Sequence, residues 1–445
     1  MQVAVRLASR LSSRPPRICL EAQLMRPLPF VLKSRFMQCA AAVLLTLAGP
    51  QYLPAADLPE GFAKGVTGGG SAAAVHPSTL DDLRSALCAS HDAHGACTDQ
   101  TPRVIVLDHL FDFRGSVVAN GSAETTAPGC VVKPCAQGGE QLALNGANDF
   151  CQSRPAVMVT YDNAGLNPLK VGSNKTLIGA GTKAGIAGTG LFIGDGAHNV
   201  IVRNLTLSDI NPSVVWGGDA LTLNKADGVW IDHNTFARIG RQMIVTGWGT
   251  ASHVTISSNE FDGRTPYSST CDGHHYWVWL FLGSQDTLTL SRNYLHDTSG
   301  RAPHSGGMKN AQIRAQLVNN VFQRMTYQGA IMSRTSSSQL LVEGNDFENV
   351  AHPLFNDTDQ PGTAFALFEP VSAAANSTCM SVIGRLCIAN QQRASGEDYR
   401  PQDASALQAF RDYRQYLVVP VSAQEARARV PGEAGAGKVG VGLRP

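Results

Sequence analysis

Three side chains near the middle of the chain have the types and setting for chemistry: one carboxylate, Asp219, and two guanidiniums, Arg241 and Arg301. Asp219 follows Val214-Val215-Trp216-Gly217-Gly218, a glycine turn between β-like runs. Arg241 follows Gly240, and Arg301 stands two residues before Pro303. A carboxylate facing a guanidinium makes a charge-assisted pair. That pair is either structural or a fixed positive charge aimed at an anion that develops during reaction. Spacing alone favours the structural reading. His304, three residues beyond Arg301, belongs to a residue type that titrates at about pH 6.5, and Lys309 is a further cation downstream. Asp232-His233, in a strand pattern, has the form either of an acid–base pair or of a structural contact. No serine nucleophile elbow, P-loop or zinc-type spacing occurs.

The elements that must position these residues are visible as a repeat. An aliphatic residue, two further residues, Asn, one residue, then Phe or Leu recurs as Ile231…Asn234…Phe236, Ile256…Asn259…Phe261, Leu290…Asn293…Leu295, Leu317…Asn320…Phe322 and Val342…Asn345…Phe347, with Ile201…Asn204…Leu207 as a looser copy. The asparagines recur about every 25 to 34 residues, the rung length of a solenoid. The expected fold is all-β: a single-stranded, right-handed parallel β-helix with long loops forming a cleft. Stacked asparagines bond the rungs above and below through their amides. Each rung buries its apolar face only against its neighbours. Ser78-Thr79-Leu80-Asp81 has capping-box form and predicts a helix from Leu80 to Cys88 that caps the open end of the stack. Arg103 to Leu107 reads as a first strand, residues 114–160 as loop, and 401–417 as loop then helix with Leu407, Phe410, Tyr413 and Leu417 on one face. Trp230, inside a rung, reads as core.

Composition excludes some classes of partner. Among 445 residues the formal net charge is +1 and glycine numbers 44. There is no polybasic face for nucleic acid or a membrane surface. Ten cysteines without paired CxxC spacing read as disulfides in an oxidising compartment, with Cys19 and Cys39 set apart in the N-terminal segment. Lys33 and Arg35 precede a short apolar run, Ala40 to Ala48, in the manner of a secretion signal. The expected organisation is a leader and signal over 1–56, one domain over 57–430, and a glycine-rich tail over 431–445, extended or disordered.

The stretch from Val214 to Gln242, the segment Cys271-Asp272-Gly273-His274-His275-Tyr276-Trp277, and Thr298-Ser299-Gly300-Arg301-Ala302-Pro303 together resemble polysaccharide lyase family 1, and within it the pectin lyases, over roughly residues 60 to 390. The resemblance implies disulfides Cys130–Cys151, Cys135–Cys271 and Cys379–Cys387, which leaves Cys88–Cys97 as a local pair.

It also implies a reaction. The family cleaves polygalacturonan by β-elimination: a base removes the C5 proton, and the C4–O bond breaks. The difficulty is the enolate charge that develops on the carboxyl group, where a nearby cation lowers the barrier. Pectate lyases hold calcium there with several carboxylates. This chain keeps Asp219 but has Arg241 and Val245 where acids stand in that pattern. The resemblance therefore implies a metal-independent enzyme acting on methyl-esterified galacturonan, and a secreted monomer is expected. Arg301 is implied as base, Arg241 as the stabilising cation and Asp219 as its orienting partner. His304 stands where the family has Lys or Arg, and the expectation is a protonated second cation there, or Lys309 reaching back. Trp216, Tyr276 and Trp277 sit at family cleft positions and are expected to stack on sugars, with Trp279 and Trp248 as further candidates. Where fungal pectin lyases place early tryptophans, this chain has Phe150 before Cys151.

Overall fold

A computed structural model describes residues 58–439, apart from 120, 147–148, 356–358 and 397–398. The expected leader, signal and first two cysteines lie outside the described residues.

Successive short strands run into three parallel sheets of ten, eight and nine strands. Each strand pairs with its counterpart one rung away, as in Val202↔Ile231, Ile231↔Ile256 and Ile256↔Leu290. The fold is a parallel β-helix. Its core is one column of stacked side chains, including Val202, Ile231, Ile256, Leu290, Leu317 and Val342. Phenylalanines of adjacent rungs stack on one another, with ring centroids 4.9 Å apart for Phe236–Phe261 and 4.8 Å for Phe322–Phe347.

The asparagines form the expected ladder. The side-chain amide of each donates to the side-chain oxygen of the next, at 3.0 Å for Asn234–Asn259, 3.1 Å for Asn259–Asn293, and 2.9 Å for Asn293–Asn320 and Asn320–Asn345. Each also donates to a backbone carbonyl, for example Asn293 to Ile256 at 2.9 Å. The ladder continues to Asn390, 45 residues on, which the repeat does not flag because Cys387 and Gln392 stand where the template has an aliphatic residue and Phe or Leu. At the other end, the looser copy is off register by one. The ladder position is Leu205, whose N–H donates to Asn234 Oδ1, while Asn204 turns to the carbonyls of Gly179 and Gly181.

The helix Leu80–Leu87 caps the first rungs, with Leu83 and Leu87 in the core. Its capping box is closed by Thr79 and Asp82. The strand Arg103–Leu107 forms as expected. The 401–417 segment keeps its face but breaks into a helix, Ala404–Gln408, and a 3₁₀ turn, Arg411–Tyr416. Leu407 and Phe410 pack there with Phe62, Leu341 and Phe365.

Two expectations are corrected. Residues 114–160 are not loop: Glu124–Pro134, Glu140–Leu144 and Ala156–Asp162 form an antiparallel sheet, joined edgewise by Val214–Val215. The tail is not disordered from 431. A helix, Ala423–Glu433, crosses that boundary, and the N–H groups of Gly435, Ala436 and Gly437 donate to Ser258, Thr235 and Asn204. Composition misleads here because these bonds use backbone donors, which glycine supplies as well as any residue. The eight cysteines of the body form Cys88–Cys97, Cys130–Cys151, Cys135–Cys271 and Cys379–Cys387, the pairs expected.

Candidate active site

Each strand of the eight-stranded sheet is entered through a turn, and the expected site residues occupy that turn on successive rungs. Asp219 precedes Leu221–Asn224, Arg241 precedes Ile244–Thr246, Tyr276 and Trp277 precede Trp279–Phe281, and Arg301 precedes His304–Gly306. Neighbouring strands lie about 4.7–4.9 Å apart, so residues far apart in sequence become a single line.

At one end of that line Arg241 Nη1 stands 3.3 Å from Asp219 Oδ2. The other carboxylate oxygen accepts from the Gln242 N–H at 2.8 Å. The guanidinium lies over the Trp216 ring, 4.0 Å from its centroid, a cation–π arrangement. Burial pushes the Asp219 carboxyl up and the Arg241 guanidinium down from their ordinary values. Asp219 opposes the fall in Arg241, and the charge of Arg301 adds to it. The turn is held from behind by His275, whose Nε2 donates to the carbonyls of Arg241 at 2.9 Å and Trp277 at 3.0 Å. Burial lowers His275 to about 4, so the ring is neutral. This positioning role has no local signature, because it depends on a carbonyl 34 residues away.

At the other end, Arg301 has a left-handed backbone at φ 53°, and its Nε is buried without a hydrogen-bond partner. Its guanidinium stands 5.0 Å from the centroid of the Tyr276 ring, and the Tyr276 hydroxyl donates to the Gln328 side chain. Tyr276 and Trp277 are only 9% and 6% exposed and pack with Cys130, Ala143 and Val215. They are therefore the support beneath the line rather than open sugar platforms. The wall sheet, tied down by Cys130–Cys151 and Cys135–Cys271, covers them. Trp279 is core and Trp248 is largely exposed. Trp216 remains half-buried and lines a cavity of about 270 Å³ with Asp219, Thr222, Arg241, Leu166 and Pro168. Phe150 meets Trp216 edge-on at 6.0 Å.

His304 departs from expectation. It is buried, and burial together with the charges of Arg301 and Arg334 lowers it to about 3. A neutral imidazole is not a second cation. Lys309 is exposed. The cations flanking His304 are Arg301 and Arg334, the latter ending the next strand, Ile331–Arg334. Asp232 and His233 are buried together at 2.6 Å, with Arg203 on the same carboxylate at 2.8 Å, a structural cluster. Trp230 is core, its indole N–H donating to Ser257.

The sheet beneath the line adds a second pattern. Leu221, Ile244, Trp279 and Ile331 face the core. Their neighbours alternate to the other face, in register from rung to rung: Lys170, Phe192, Thr222, Val245, Leu280, His304, Met332 and Phe355. Next to Arg241 and Arg301 this floor is therefore apolar or neutral.

Comparison with known proteins yields a match to the pectate lyase family model over residues 33–439. The chain belongs to the pectate lyase family. Among its relatives, "Probable pectin lyase F" of Neosartorya fischeri is 41% identical over 403 residues, covering 90% of this chain and 99% of the relative. "Probable pectin lyase A" of Aspergillus clavatus is 43% identical over 389 residues, covering 85% and 93%. A pectate lyase variant from Xanthomonas campestris shares the fold at a TM-score of 0.52 and 19% identity, over 85% of this chain and 98% of that one.

Calcium does not fit this member's site. The ion takes about six to eight oxygen ligands. Among the described residues of the turn line, Asp219 is the carboxylate, with one oxygen turned to Arg241 and the other to a backbone N–H. The group of described residues that could hold an ion is Asp262, His296 and Asp297. It lies on the nine-stranded sheet and the turn beyond it, and its carboxylates are already paired with Arg264 and Arg324.

Proposed function

We propose that this protein is a secreted, metal-independent pectin lyase that cleaves α-1,4-linked, methyl-esterified galacturonan by β-elimination. The observation that carries this reading is the Arg241–Asp219 pair, 3.3 Å apart, standing where a carboxylate cluster would hold a metal. A guanidinium held over Trp216 is a fixed positive charge in a partly dry site, where it acts more strongly on developing charge than it does in water. Arg241 stabilises the enolate. Asp219 and His275 are positioning residues that hold it from its side chain and from its backbone.

Arg301 is the base. Its Nε is free of a partner, and its neighbours along the floor are neutral His304 and apolar Leu280. A second cation, Arg241, crowds the same line. In its neutral guanidine form Arg301 takes the C5 proton and becomes a guanidinium, the electron pair forms the C4–C5 double bond, and the C4–O bond breaks, the departing oxygen taking a proton from solvent water to release the leaving chain. Methyl esterification suits the floor of Val245 and Leu280, since an ester brings apolar surface and no full charge that requires a metal. The four disulfides fit secretion to an oxidising medium. Trp216 holds the guanidinium of Arg241 over its ring and borders the cavity.

The test is the product. Methyl-esterified pectin should give oligosaccharides with unsaturated ends, seen by their ultraviolet absorbance, and Arg301→Ala should abolish them. Saturated reducing ends alone would contradict the elimination.

A further inference from the structure

The floor row does not end at the cleft. Beyond Thr222 it continues through Phe192 to Lys170, on strand Leu169–Val171, two rungs past Thr222 and three past Val245. At about 4.7–4.9 Å per rung, Lys170 is roughly 14 Å from Val245 along the row. Two cavities cover this direction and share Pro168: the one of about 270 Å³ beside Trp216, Asp219 and Arg241, and one of about 790 Å³ lined by Pro168, Lys170, Arg84, Ser85 and Val118. Asn167 and Pro168 stand before their strand as Asp219 and Ala220 stand before theirs, Leu169 pairing through Leu191 with Leu221. The second cavity thus lies at the same turn position two rungs further along, and meets the first at Pro168.

Its chemistry differs from the centre. Among the described residues, Lys170 Nζ has one hydrogen-bond partner, the Gly95 carbonyl, and no carboxylate. An ammonium has three donors, so two remain. Arg84 adds a second cation, partly offset by exposed Asp81 at 2.6 Å. Phe192, half-buried between Lys170 and Thr222, offers a ring edge or face to the intervening sugar. The row is therefore apolar where the bond breaks and cationic at its far end.

We propose that Lys170 and the groove around it form a distal subsite for an unesterified galacturonate residue of the same substrate chain. It binds that residue's free carboxylate, while the central subsites take methyl esters. This rests on the pectin lyase reading for the identity of the chain, but it concerns a separate site. The enzyme would then favour partly esterified pectin in which a free acid lies a few sugars from an esterified stretch.

The test uses the full chain and methyl-esterified oligogalacturonates, either complete or carrying a single free carboxyl at one or the other end. Binding is measured by titration calorimetry in Arg301→Ala, which cannot turn substrate over under the proposed mechanism, and kcat/KM is measured in the intact enzyme. One of the two free-acid isomers should bind more tightly than the full ester by about tenfold or more, the size of one charge-assisted hydrogen bond. That ratio should fall towards one in Lys170→Met, be restored in Lys170→Arg, and shrink with added salt. Equal binding of all three oligosaccharides, or a ratio unchanged by Lys170→Met, would overturn the subsite. Because binding is read without turnover, a preference that disappears in Lys170→Met alongside no unsaturated product would leave the subsite standing and sink the lyase reading instead.

Discussion

Two stacks of turns run the length of this β-helix, and they use the same geometry for opposite ends. In one, the same residue recurs on successive rungs: Asn234, Asn259, Asn293, Asn320, Asn345 and Asn390. An amide carries a donor and an acceptor, so identical side chains satisfy each other indefinitely. In the other, before the eight-stranded sheet, successive rungs carry Asp219, Arg241, Tyr276 and Arg301. Here repetition is broken on every rung. Two arginines are held in one line, Arg241 is pushed down by burial and further by Arg301, and Arg301 keeps a buried Nε without a partner. The first stack stabilises the fold; the second carries local instability that the fold tolerates because rungs on both sides hold it.

The contrast can be broken from either side. On the site line, Arg301→Ala should lower kcat by about 10²- to 10⁴-fold, the range for loss of a proton-transfer group, and Arg241→Ala by about 10²- to 10³-fold, the range for one electrostatic stabiliser. Arg301→Ala should leave the urea midpoint unchanged, whereas Arg241→Ala removes the partner of Asp219 Oδ2 and should lower it only modestly, since that carboxylate keeps the Gln242 N–H. A large loss of stability in either variant would mean that the line is structural, as spacing alone suggests. On the ladder, Asn293→Ala orphans groups on Asn259 and Asn320 together with the Ile256 carbonyl. It should cost about 3–5 kcal/mol in urea unfolding, with kcat nearly intact in whatever protein remains folded. Loss of activity without loss of stability there would erase the distinction.

A smaller effect sharpens it. The folded-state value for His304 is depressed to about 3, against about 6.5 in an unfolded chain. Between those values the unfolded state holds a proton that the folded state refuses. The contribution of His304 to stability is therefore fully present above about pH 6.5 and is lost as pH falls towards 3. His304→Gln should reduce the acid loss of stability at pH 4.5 by on the order of 2 kcal/mol. If the variant follows the parent curve, His304 is not held neutral in the fold.

How much of this was legible in the sequence follows from the same contrast. The ladder was readable because each rung repeats its own signature, and it failed only where that signature shifts, at Leu205, or is lost, at Asn390, whose flanking positions are Cys387 and Gln392. Asp219, Arg241 and Arg301 were identifiable as a set through family resemblance, and the β-helix brings them into one line. The states of the side chains around them were not legible. Trp277 and Tyr276 carry the residue types of sugar platforms, but the antiparallel wall over Glu124–Asp162 buries them, and its strands have no repeat to announce them. His304 looks like a cation until its burial between two arginines is known. In each case the missing information is contact with chain far away in sequence.

In the proposed function a guanidinium replaces a metal and thereby selects an ester. This exchange is tested most directly by measuring unsaturated-product formation on highly methyl-esterified pectin and on fully demethylated polygalacturonate, each with and without EDTA. Fast turnover of the ester, little turnover of the free acid, and no change on chelation are expected. Activity that EDTA abolishes and calcium restores, or a preference for the demethylated polymer, would contradict the proposed function.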